Sequence, residues 1–349
     1  MPEFTLRPME PADAPAVDTL MREEAPTTAI SLTTHYRHDI YESLLAQHPT
    51  LFGVVATAPD ADGLVGVATA FLDEVMVGGR AYPAAQLENL KVRSDVRRQG
   101  LGSRLATWRI DEARRRFDGD GIIAAGLESS NAASLATARR WCTNVLGPVR
   151  VVIARTASGA PMRRGIRYRP LEDGDGVAVV EAMDAFYAGY DLYPRQTPAR
   201  LQAQLAPTSL GEPIRAYRVA VAADRRLLAG AMVNERFKVM EDHIDQIPRP
   251  LELLSRVVPM VPPDRVIRSI EVNLAWHAPG RVDVGRGLWD AIRHEWRDRA
   301  THAAAQADPR GTLVEMFHIG RTVIPQVEIL IPVYSPVPLV ERRPVYVWR

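Results

Sequence analysis

Cysteine, lysine and long apolar runs are scarce in this 349-residue chain, and each scarcity excludes a class of protein. Cys142 is the only cysteine, which rules out an internal disulfide framework and a structural zinc site with several cysteines. No stretch approaches the ~20 consecutive apolar residues of a membrane-spanning helix. The opening MPEFTLRPMEPADAP has acids and prolines where a signal peptide needs a basic start and an apolar run. We therefore expect a cytoplasmic protein without a membrane segment.

Lysine occurs only at Lys91 and Lys238, and the rest of the 43 basic residues are arginine, which we attribute first to the coding bias of a GC-rich genome. The formal net charge is only +1, so the total charge favours neither nucleic acid nor an anionic membrane as a partner. Hydrophobic residues make up 46% and charged residues 24%, as in a globular protein. A chain of this length exceeds one ordinary core and predicts two domains.

An internal repeat divides the chain into two halves. The segment LRPMEPADAPAVDTLM matches YRPLEDGDGVAVVEAM at a shift of 162 residues, which places Arg7 on Arg169 and Asp13 on Asp175. Because the matches cluster at the start of two halves of similar length, they indicate a duplication. The turn-forming stretch 155–166 is the predicted linker between an N-terminal domain over 1–157 and a C-terminal domain over 166–349.

Both halves show the same order of patterns: a strand, helices, a hairpin, a buried strand, glycines with a helix, and another strand. The last three are AAQLENLKV, GSRLATWRIDEARRRF and GIIAAGLE in the first half, and IRSIEVNLAWH, GRGLWDAIRHEWRDRA and TLVEMFHI in the second. This order predicts an α/β (α+β) fold, with a mixed, mostly antiparallel sheet flanked by helices in each half. We expect QIPRPLELLSRVVPMVPPDR to be a loop and DRATHAAAQADPRG to end a helix.

A glycine turn separates the buried strand of the first half from its helix. Gly100 and Gly102 stand at the helix N-terminus, which presents unpaired N–H groups and the positive end of the helix dipole. Arg97 and Arg98 add donors for an anion, and the pattern predicts a phosphate site. A P-loop would need a lysine after Gly102, and a Rossmann turn would need a third glycine where Leu105 stands.

The segment from Val92 to Gly102 resembles the signature of the GNAT superfamily, the acyl-CoA-dependent N-acetyltransferases. That signature is Q/R-x-x-G-x-G/A after a strand that ends in valine, and Arg97 and the two glycines fill its required places. Downstream, SSNAASLATARRW resembles the second motif of the family, in which Asn131 and Ser134 match. The resemblance covers both halves and implies a tandem protein with two GNAT-like domains.

The resemblance implies acetyl-CoA as co-substrate, no metal, and an amine of a small molecule or peptide as acceptor. The glycine turn would hold the pyrophosphate, and the strand edge would hold the pantetheine arm. Asn131 as an ordinary helix cap and Ser134 as a packing residue remain alternatives. The expected cofactor-binding residues are Leu90, Val92, Arg97, Arg98, Gln99, Gly100, Leu101, Gly102, Ser103, Asn131 and Ser134.

Acetyl transfer to an amine needs a base, since a free alkylamine has a pKa near ~10. The expected base is Glu88, which a period of two places on the same strand face as Leu90 and Val92. The alternatives are Glu128 as the base, and a structural Glu88 that is paired with an arginine. The usual acid of the family is a tyrosine seven residues after the motif asparagine, and that place is Ala138, so the acid stays unassigned. We expect Trp141 and Cys142 to pack.

Aromatic and histidine-containing stretches could shape an acceptor pocket. TTHYRHDIYESL lies where the first helices of the family do so, and MDAFYAGYDLYPR is its counterpart, although core packing is the simpler explanation of both. His35 and His38 stand three apart on the predicted helix. No third ligand lies nearby, so a metal site is not expected.

The second half departs from the signature. Gly285 and Gly287 are kept, but Val282 stands at the arginine position, and Asp283 puts a negative charge where a pyrophosphate would lie. We therefore expect acetyl transfer in the first half alone. A non-catalytic acyl-CoA-binding or regulatory protein is the alternative function. O-acyl or aminoacyl transfer is disfavoured, because the signature is intact. The sequence leaves open the acceptor, whether the second half binds CoA, and the choice between monomer and homodimer.

Overall fold

The computed structural model describes residues 3–22, 31–117, 119–156, 159, 163–247, 261–319 and 327–348. Strands of the first half are β1 (Thr5–Pro8), β2 (Ser31–Tyr36), β3 (Leu51–Thr57), β4 (Gly66–Val77), β5 (Arg80–Val92), β6 (Ile122–Ala125), β7 (Leu127–Glu128) and β8 (Asn144–Arg155). Its helices are α1 (Ala14–Arg22), α2 (Ile40–Gln47), α3 (Leu101–Arg116) and α4 (Ala132–Ala138).

The second half repeats this alternation. Its strands are β9 (Ile166–Pro170), β10 (Arg215–Ala222), β11 (Leu227–Asn234), β12 (Met240–Gln246), β13 (Val266–Ile267), β14 (Ser269–His277), β15 (His302–Ala307) and β16 (Val327–Tyr334). Its helices are α5 (Asp175–Tyr187), α6 (Pro198–Leu205), α7 (Val282–Glu295) and α8 (Leu313–Met316). The predicted mixed α/β fold is confirmed. Within the described residues, no helix is long and apolar enough to span a membrane.

Both halves share one 13-stranded sheet, in the order β1-β3-β4-β5-β6-β16-β8-β15-β14-β11-β10-β9, with β7 beside β16. Its neighbours are antiparallel except β5–β6 and β14–β15, which are parallel. The last strand of each half lies in the part of the sheet built by the other half, since β16 pairs with β6 and β8 pairs with β15. A second sheet joins β2 to β12 and β13. The domain limits 1–157 and 166–349 stay a prediction.

The repeated motif forms the same contacts in both halves. Arg7 Nη1 and Nη2 donate to the two carboxylate oxygens of Asp13, and Arg169 does the same to Asp175. Each aspartate also accepts the backbone N–H three residues before it, at 2.9 Å. The shift of 162 residues therefore relates two copies of one local structure, in which an arginine of a strand binds an aspartate at the start of the helix that follows.

Three segments differ from their predicted structure. HAAAQA was expected at a helix end and forms strand β15, because pairing with both β14 and β8 buries its alanines and outweighs their helix preference. TLVEMFHI carries the short helix α8 instead of a strand, and β15 takes the expected place in the sheet. TTHYRHDIYESL is not one helix, since it contains the end of β2 and the start of α2.

Two predicted connections lie partly outside the described residues. The described part of the linker 155–166 leaves out 157–158 and 160–162, and that of the proline-rich loop around 246–265 leaves out 248–260.

We expect Asp175→Asn to lower the free energy of unfolding by about 2 kcal/mol at pH 7, because the Arg169 side chain, only 11% exposed, loses its carboxylate. The hydrogen bond from Arg169 lowers the pKa of Asp175. Its contribution is therefore complete above the unfolded pKa near 3.8 and disappears as the pH falls through the folded pKa. Urea unfolding at several pH values measures this, with the exposed Asp173→Asn as control. Equal losses in both variants would contradict it.

Candidate active site

Strand β5 diverges from β6, its parallel neighbour, partway along its length. The two pair only over Ala84–Leu87 and Ile122–Ala125. At the same point β5 contains a bulge, since Glu88 lies opposite Thr69 and Lys91 opposite Val67, with two residues between them. Asn89, the first of these two, has a φ of +50°. Beyond Leu87, the side of β5 that faces away from β4 has no strand partner within the described part of the chain.

The buried guanidinium of Arg109 holds the bulge in place. Its Nη1 donates to the backbone carbonyls of Thr69 and Glu88, each at 2.7 Å. A buried carbonyl without a donor costs roughly 1–3 kcal/mol, so Arg109 on α3 compensates for ladder bonds that the bulge removes. Burial lowers the pKa of Arg109 to about 9. Because this value is still above neutral pH, the guanidinium stays charged.

The gap beside β5 opens into a cavity of about 1620 Å³, which we call the cofactor cavity. All the predicted cofactor-binding residues line it except Gln99, whose side chain donates to the Asp95 carbonyl. Its basic lining residues are Arg22, Lys91, Arg97, Arg98, Arg140 and Arg236. Among the described lining residues Glu128 is the one acid. This charge suits a ligand with several phosphates.

The turn before α3 places backbone donors at the mouth of this cavity. Gly100 has a φ of +84° and caps the helix, and the first helical bond runs from Arg104 N–H to Gly100 O. The N–H groups of Leu101, Gly102 and Ser103 therefore precede any helical acceptor. A Cβ on Gly102 would meet only Val92 Cγ2, at 3.8 Å, so the space in front of this glycine is open.

Side chains brace the turn from both sides. Arg97 Nε donates to the Val92 carbonyl at 3.1 Å, and Arg140 Nη1 donates to Ser103 Oγ at 3.0 Å. On the opposite wall, Asn131 caps α4, because its Oδ1 accepts the Ser134 N–H at 3.0 Å. The alternative interpretation of Asn131 as a cap is therefore confirmed, although both residues also line the cavity.

Glu88 lies on the other face of β5 from Leu90 and Val92. The period-two argument was wrong here, because the bulge inserts one residue and shifts the alternation. Leu90 and Val92 pack with Leu101 and Leu105 of α3, whereas register places Glu88 on the face of Lys91. The alternative base, Glu128, is exposed at the end of β7.

Glu88 lines a second cavity of about 330 Å³, which we call the acceptor cavity. It adjoins the cofactor cavity, since Tyr36, Asn89, Arg236 and Met240 line both. Residues of both halves form its walls, including His48 after α2 and Glu271 on β14. His48 Nε2 lies 3.8 Å from Glu88 Oε2 and its ring stacks on Phe71, with centroids 3.8 Å apart.

His48 is neutral at physiological pH. Burial, with a smaller effect of the nearby Arg215, lowers its pKa to about 3. The contact with Glu88 is therefore not an ion pair, even though the two groups lie close. Such a weakly basic imidazole is a poor proton acceptor at neutral pH.

Tyr36 is a functional candidate that the sequence did not single out by itself. It lies at the junction of the two cavities, and burial raises its pKa to about 12, so the phenol keeps its proton. Only the pairing of β2 with β12 brings Tyr36 to this junction, and no local motif in the sequence indicates it.

The residues around the family's tyrosine position are packed. Ala138, which stands at that position, is buried. Trp141 packs against the core beside α3, and burial raises the pKa of the Cys142 thiol.

Strand β14 in the second half has the same bulge and the same divergence. Asn273 lies opposite Met232 and Trp276 opposite Gly230, and Leu274 between them has a φ of +45°. Strand β14 pairs with β15 only over Ser269–Val272. In both halves, therefore, the strand with the bulge separates from its parallel neighbour at an equivalent point.

The chain fills this second gap with its own C-terminal segment. Tyr346 Oη accepts the Leu274 N–H at 3.0 Å, and Tyr187 Oη donates to the Ala275 carbonyl. Asp308 accepts the Val345 N–H at 3.0 Å, which fixes the segment. A cavity of about 30 Å³ remains, against about 1620 Å³ in the first half.

The glycines of the second turn serve close packing. A Cβ on Gly287 would lie 1.9 Å from Tyr168 Oη, and one on Gly285 would lie 3.1 Å from Met316 Sδ. Asp283 at the helix start pairs with Arg163 at 2.8 Å. Neither turn glycine therefore faces open space as Gly102 does.

His35 and His38 do not share a helix, so that prediction was wrong. His35 is on β2 and its ring lies 4.1 Å from that of His243, whereas His38 is exposed before α2. The described residues contain no group of three or more His, Cys, Asp or Glu side chains placed to hold a metal.

We expect His48→Gln to reduce the dependence of the free energy of unfolding on pH below pH 6.5. In the wild type, unfolded His48 binds a proton below pH 6.5 and the folded residue does so only near pH 3, so stability rises with pH across this window. Over pH 4 to 7 this amounts to at most about 3 kcal/mol. Urea unfolding against pH measures it, with the exposed His38→Gln as control. An unchanged slope in His48→Gln would contradict a neutral, buried imidazole.

Comparisons with known proteins give one sequence-family match and several structures of the same fold. Residues 17–142 match the sequence model described as the acetyltransferase (GNAT) family. No curated protein sequence matches the chain. A GCN5-related N-acetyltransferase from Sphaerobacter thermophilus superimposes with a TM-score of 0.59 at 15% identity, over 97% of each chain. N-myristoyltransferase of Saccharomyces cerevisiae with bound myristoyl-CoA gives 0.62 at 11% identity, over 95% of this chain and 78% of that one. Residues 17–142, about a third of the chain, are therefore similar in sequence to the acetyltransferase (GNAT) family, and the whole chain shares the fold of these structures.

Proposed function

We propose that the protein transfers the acetyl group of acetyl-CoA to a primary amine, with the chemistry in its first half. One observation carries the proposal. The open edge of β5 and the donor-rich glycine turn line one basic cavity, and Glu88 stands in the adjoining cavity. The alternative of a non-catalytic acyl-CoA-binding protein would leave this second, acid-containing cavity unused.

In this proposal the cofactor lies along the open edge. The N–H groups of Leu101 to Ser103 and the arginines of the turn bind the pyrophosphate. Backbone groups of Leu90 and Val92 bind the pantetheine arm, as an added strand would be bound. The thioester then reaches the bulge, where the two cavities meet.

The chemistry needs one proton acceptor and one proton donor. The Glu88 carboxylate takes a proton from the ammonium group, directly or through a water, and the neutral nitrogen attacks the thioester carbon. A C–N bond forms and leaves the nitrogen with a positive charge and two protons, one of which passes to solvent. The C–S bond breaks, and the sulfur leaves as a thiolate. Tyr36 donates the proton that the thiolate takes up, and the phenolate recovers one from solvent.

The acceptor cavity favours acetyl over long acyl groups. Its walls carry Glu88, Arg215, Glu235, Arg236 and Glu271, and a long alkyl chain would have to desolvate these charges without pairing them. The likeness to a myristoyl-CoA-binding enzyme, at 11% identity, is a likeness of fold. We therefore expect turnover with acetyl-CoA and none with myristoyl-CoA.

Calorimetric titration with acetyl-CoA should give one equivalent per chain in the wild type. Gly102→Asp should weaken binding at least about 30-fold, since it adds a negative charge beside the pyrophosphate at a site with room for a side chain. Gly189→Asp, at an exposed glycine with equally open space and outside this cavity, is the matched control. Two equivalents per chain would contradict the proposed filling of the second gap, and no binding would overturn the proposed function.

Glu88→Gln should lower kcat by about 10²–10³-fold and leave acetyl-CoA affinity within about twofold, because only the proton acceptor is lost. Tyr36→Phe should slow release of CoA thiol more than it alters binding. Stopped assays of CoA release with a panel of amines measure both. A Glu88→Gln enzyme of wild-type rate would exclude Glu88 as the base.

A further inference from the structure

The acceptor cavity contains two charged groups that the proposed chemistry does not use. Arg215 on β10 and Glu271 on β14 both line it. Arg215 has no carboxylate partner among the described residues. Its Nε donates to Asn234 Oδ1 at 2.9 Å and its Nη2 donates to the Gln47 carbonyl, while no partner for Nη1 lies in the described part of the chain. The Glu271 carboxylate makes no hydrogen bond or close ion pair with the residues described, and the guanidinium of Arg236, in the same cavity, interacts with it only electrostatically.

Unbalanced charges of this kind are costly in a partly buried site. Burial lowers the pKa of Arg215 to about 10, which reflects the cost of keeping the guanidinium away from water. Buried charges in proteins are normally paired. A cation and an anion that both face one cavity without pairing suit a ligand that carries both opposite charges.

The register of the sheet fixes how far apart these groups lie. Arg215 is directly opposite Asn234, and Asn234 is directly opposite Glu271, so the three form a row across β10, β11 and β14. Adjacent strands lie ~4.8 Å apart, which separates Arg215 from Glu271 by roughly 10 Å at the backbone. In an α-amino acid, the ammonium nitrogen and the carboxylate lie roughly 3 Å apart. A charge-assisted hydrogen bond of about 2.8 Å at each end would then place the two protein groups that bind them roughly 9 Å apart.

We infer that the acceptor is a free α-amino acid, whose carboxylate binds Arg215 and whose ammonium group binds Glu271 beside Glu88. Asn234 holds the guanidinium in position and Gln47 fixes it from the other half of the chain. This inference rests on the proposed function and names its substrate class.

A third cavity receives the side chain of the amino acid. It has a volume of about 720 Å³ and shares Gln47, His48, Arg215 and Asn234 with the acceptor cavity. Its other walls are largely apolar and include Phe71, Leu72, Met232, Leu274 and Trp348. The Asp73 carboxylate there is already bound by Arg200, at 2.6 Å. An amino acid with a large apolar side chain therefore fits best.

The test compares three acceptors that differ only at the carboxylate: L-phenylalanine, L-phenylalanine amide and phenethylamine. With acetyl-CoA and the full-length chain, we expect kcat/KM for the acid to exceed that of the other two by about 30-fold. Arg215→Gln should remove this preference, and Arg215→Lys should keep part of it. Arg226→Gln, exposed on the same hairpin, is the control and should keep it in full. A ratio between acceptors is insensitive to a general loss of stability.

Glu271→Gln should lower kcat/KM for all three acceptors alike, because each carries the ammonium group. Equal use of the acid and the amide, or an unchanged preference in Arg215→Gln, would overturn the inference. So would acetyl-CoA binding without transfer to L-phenylalanine, L-leucine or L-methionine. Failure to bind acetyl-CoA in the same preparations would instead overturn the proposed function.

Discussion

The contact between Arg109 and the two carbonyls of the β5 bulge is the constraint on which the candidate site depends. The bulge interrupts the ladder between β4 and β5, and Arg109 supplies the missing donor from α3. Without it, the carbonyls of Thr69 and Glu88 would be buried and unpaired, at a cost that favours a regular strand. A regular strand would leave Glu88 in its register and move the residues that follow it, including Leu90 and Val92, to the opposite face. One buried cation thus fixes the open strand edge relative to the proposed base.

The second half shows that this backbone arrangement alone does not leave an open cavity. Leu274 repeats the bulge of Asn89, and β14 diverges from β15 as β5 does from β6. In the second half, however, tyrosine hydroxyls and the C-terminal segment take up the exposed backbone groups. Its strands instead face the first half across the acceptor cavity. The two halves therefore differ: the first leaves its gap open to the large basic cavity, and the second contributes walls to the acceptor cavity.

Local chemistry in the sequence was enough to predict the glycine turn, the helix α3, and the residues of β5, the turn and α4 that line part of the cofactor cavity. These features depend on neighbours within about a dozen residues, so their pattern survives in the linear chain. The face of Glu88 was wrongly predicted, since a bulge leaves no mark on hydrophobic alternation. Tyr36, His48, Arg215 and Glu271 meet only because β2 pairs with β12 and both halves share one sheet. The alanine-rich β15 was missed because its pairing partners are distant in sequence.

Hydrogen exchange of backbone amides, measured with and without acetyl-CoA, tests the central claim most directly. The account predicts slower exchange over residues 88–103 and 128–134, which line the open gap of the first half. It predicts no change over 273–287, where the chain itself occupies the equivalent gap. Protection of 273–287, or none over 88–103, would contradict the assignment of the cofactor to the first half.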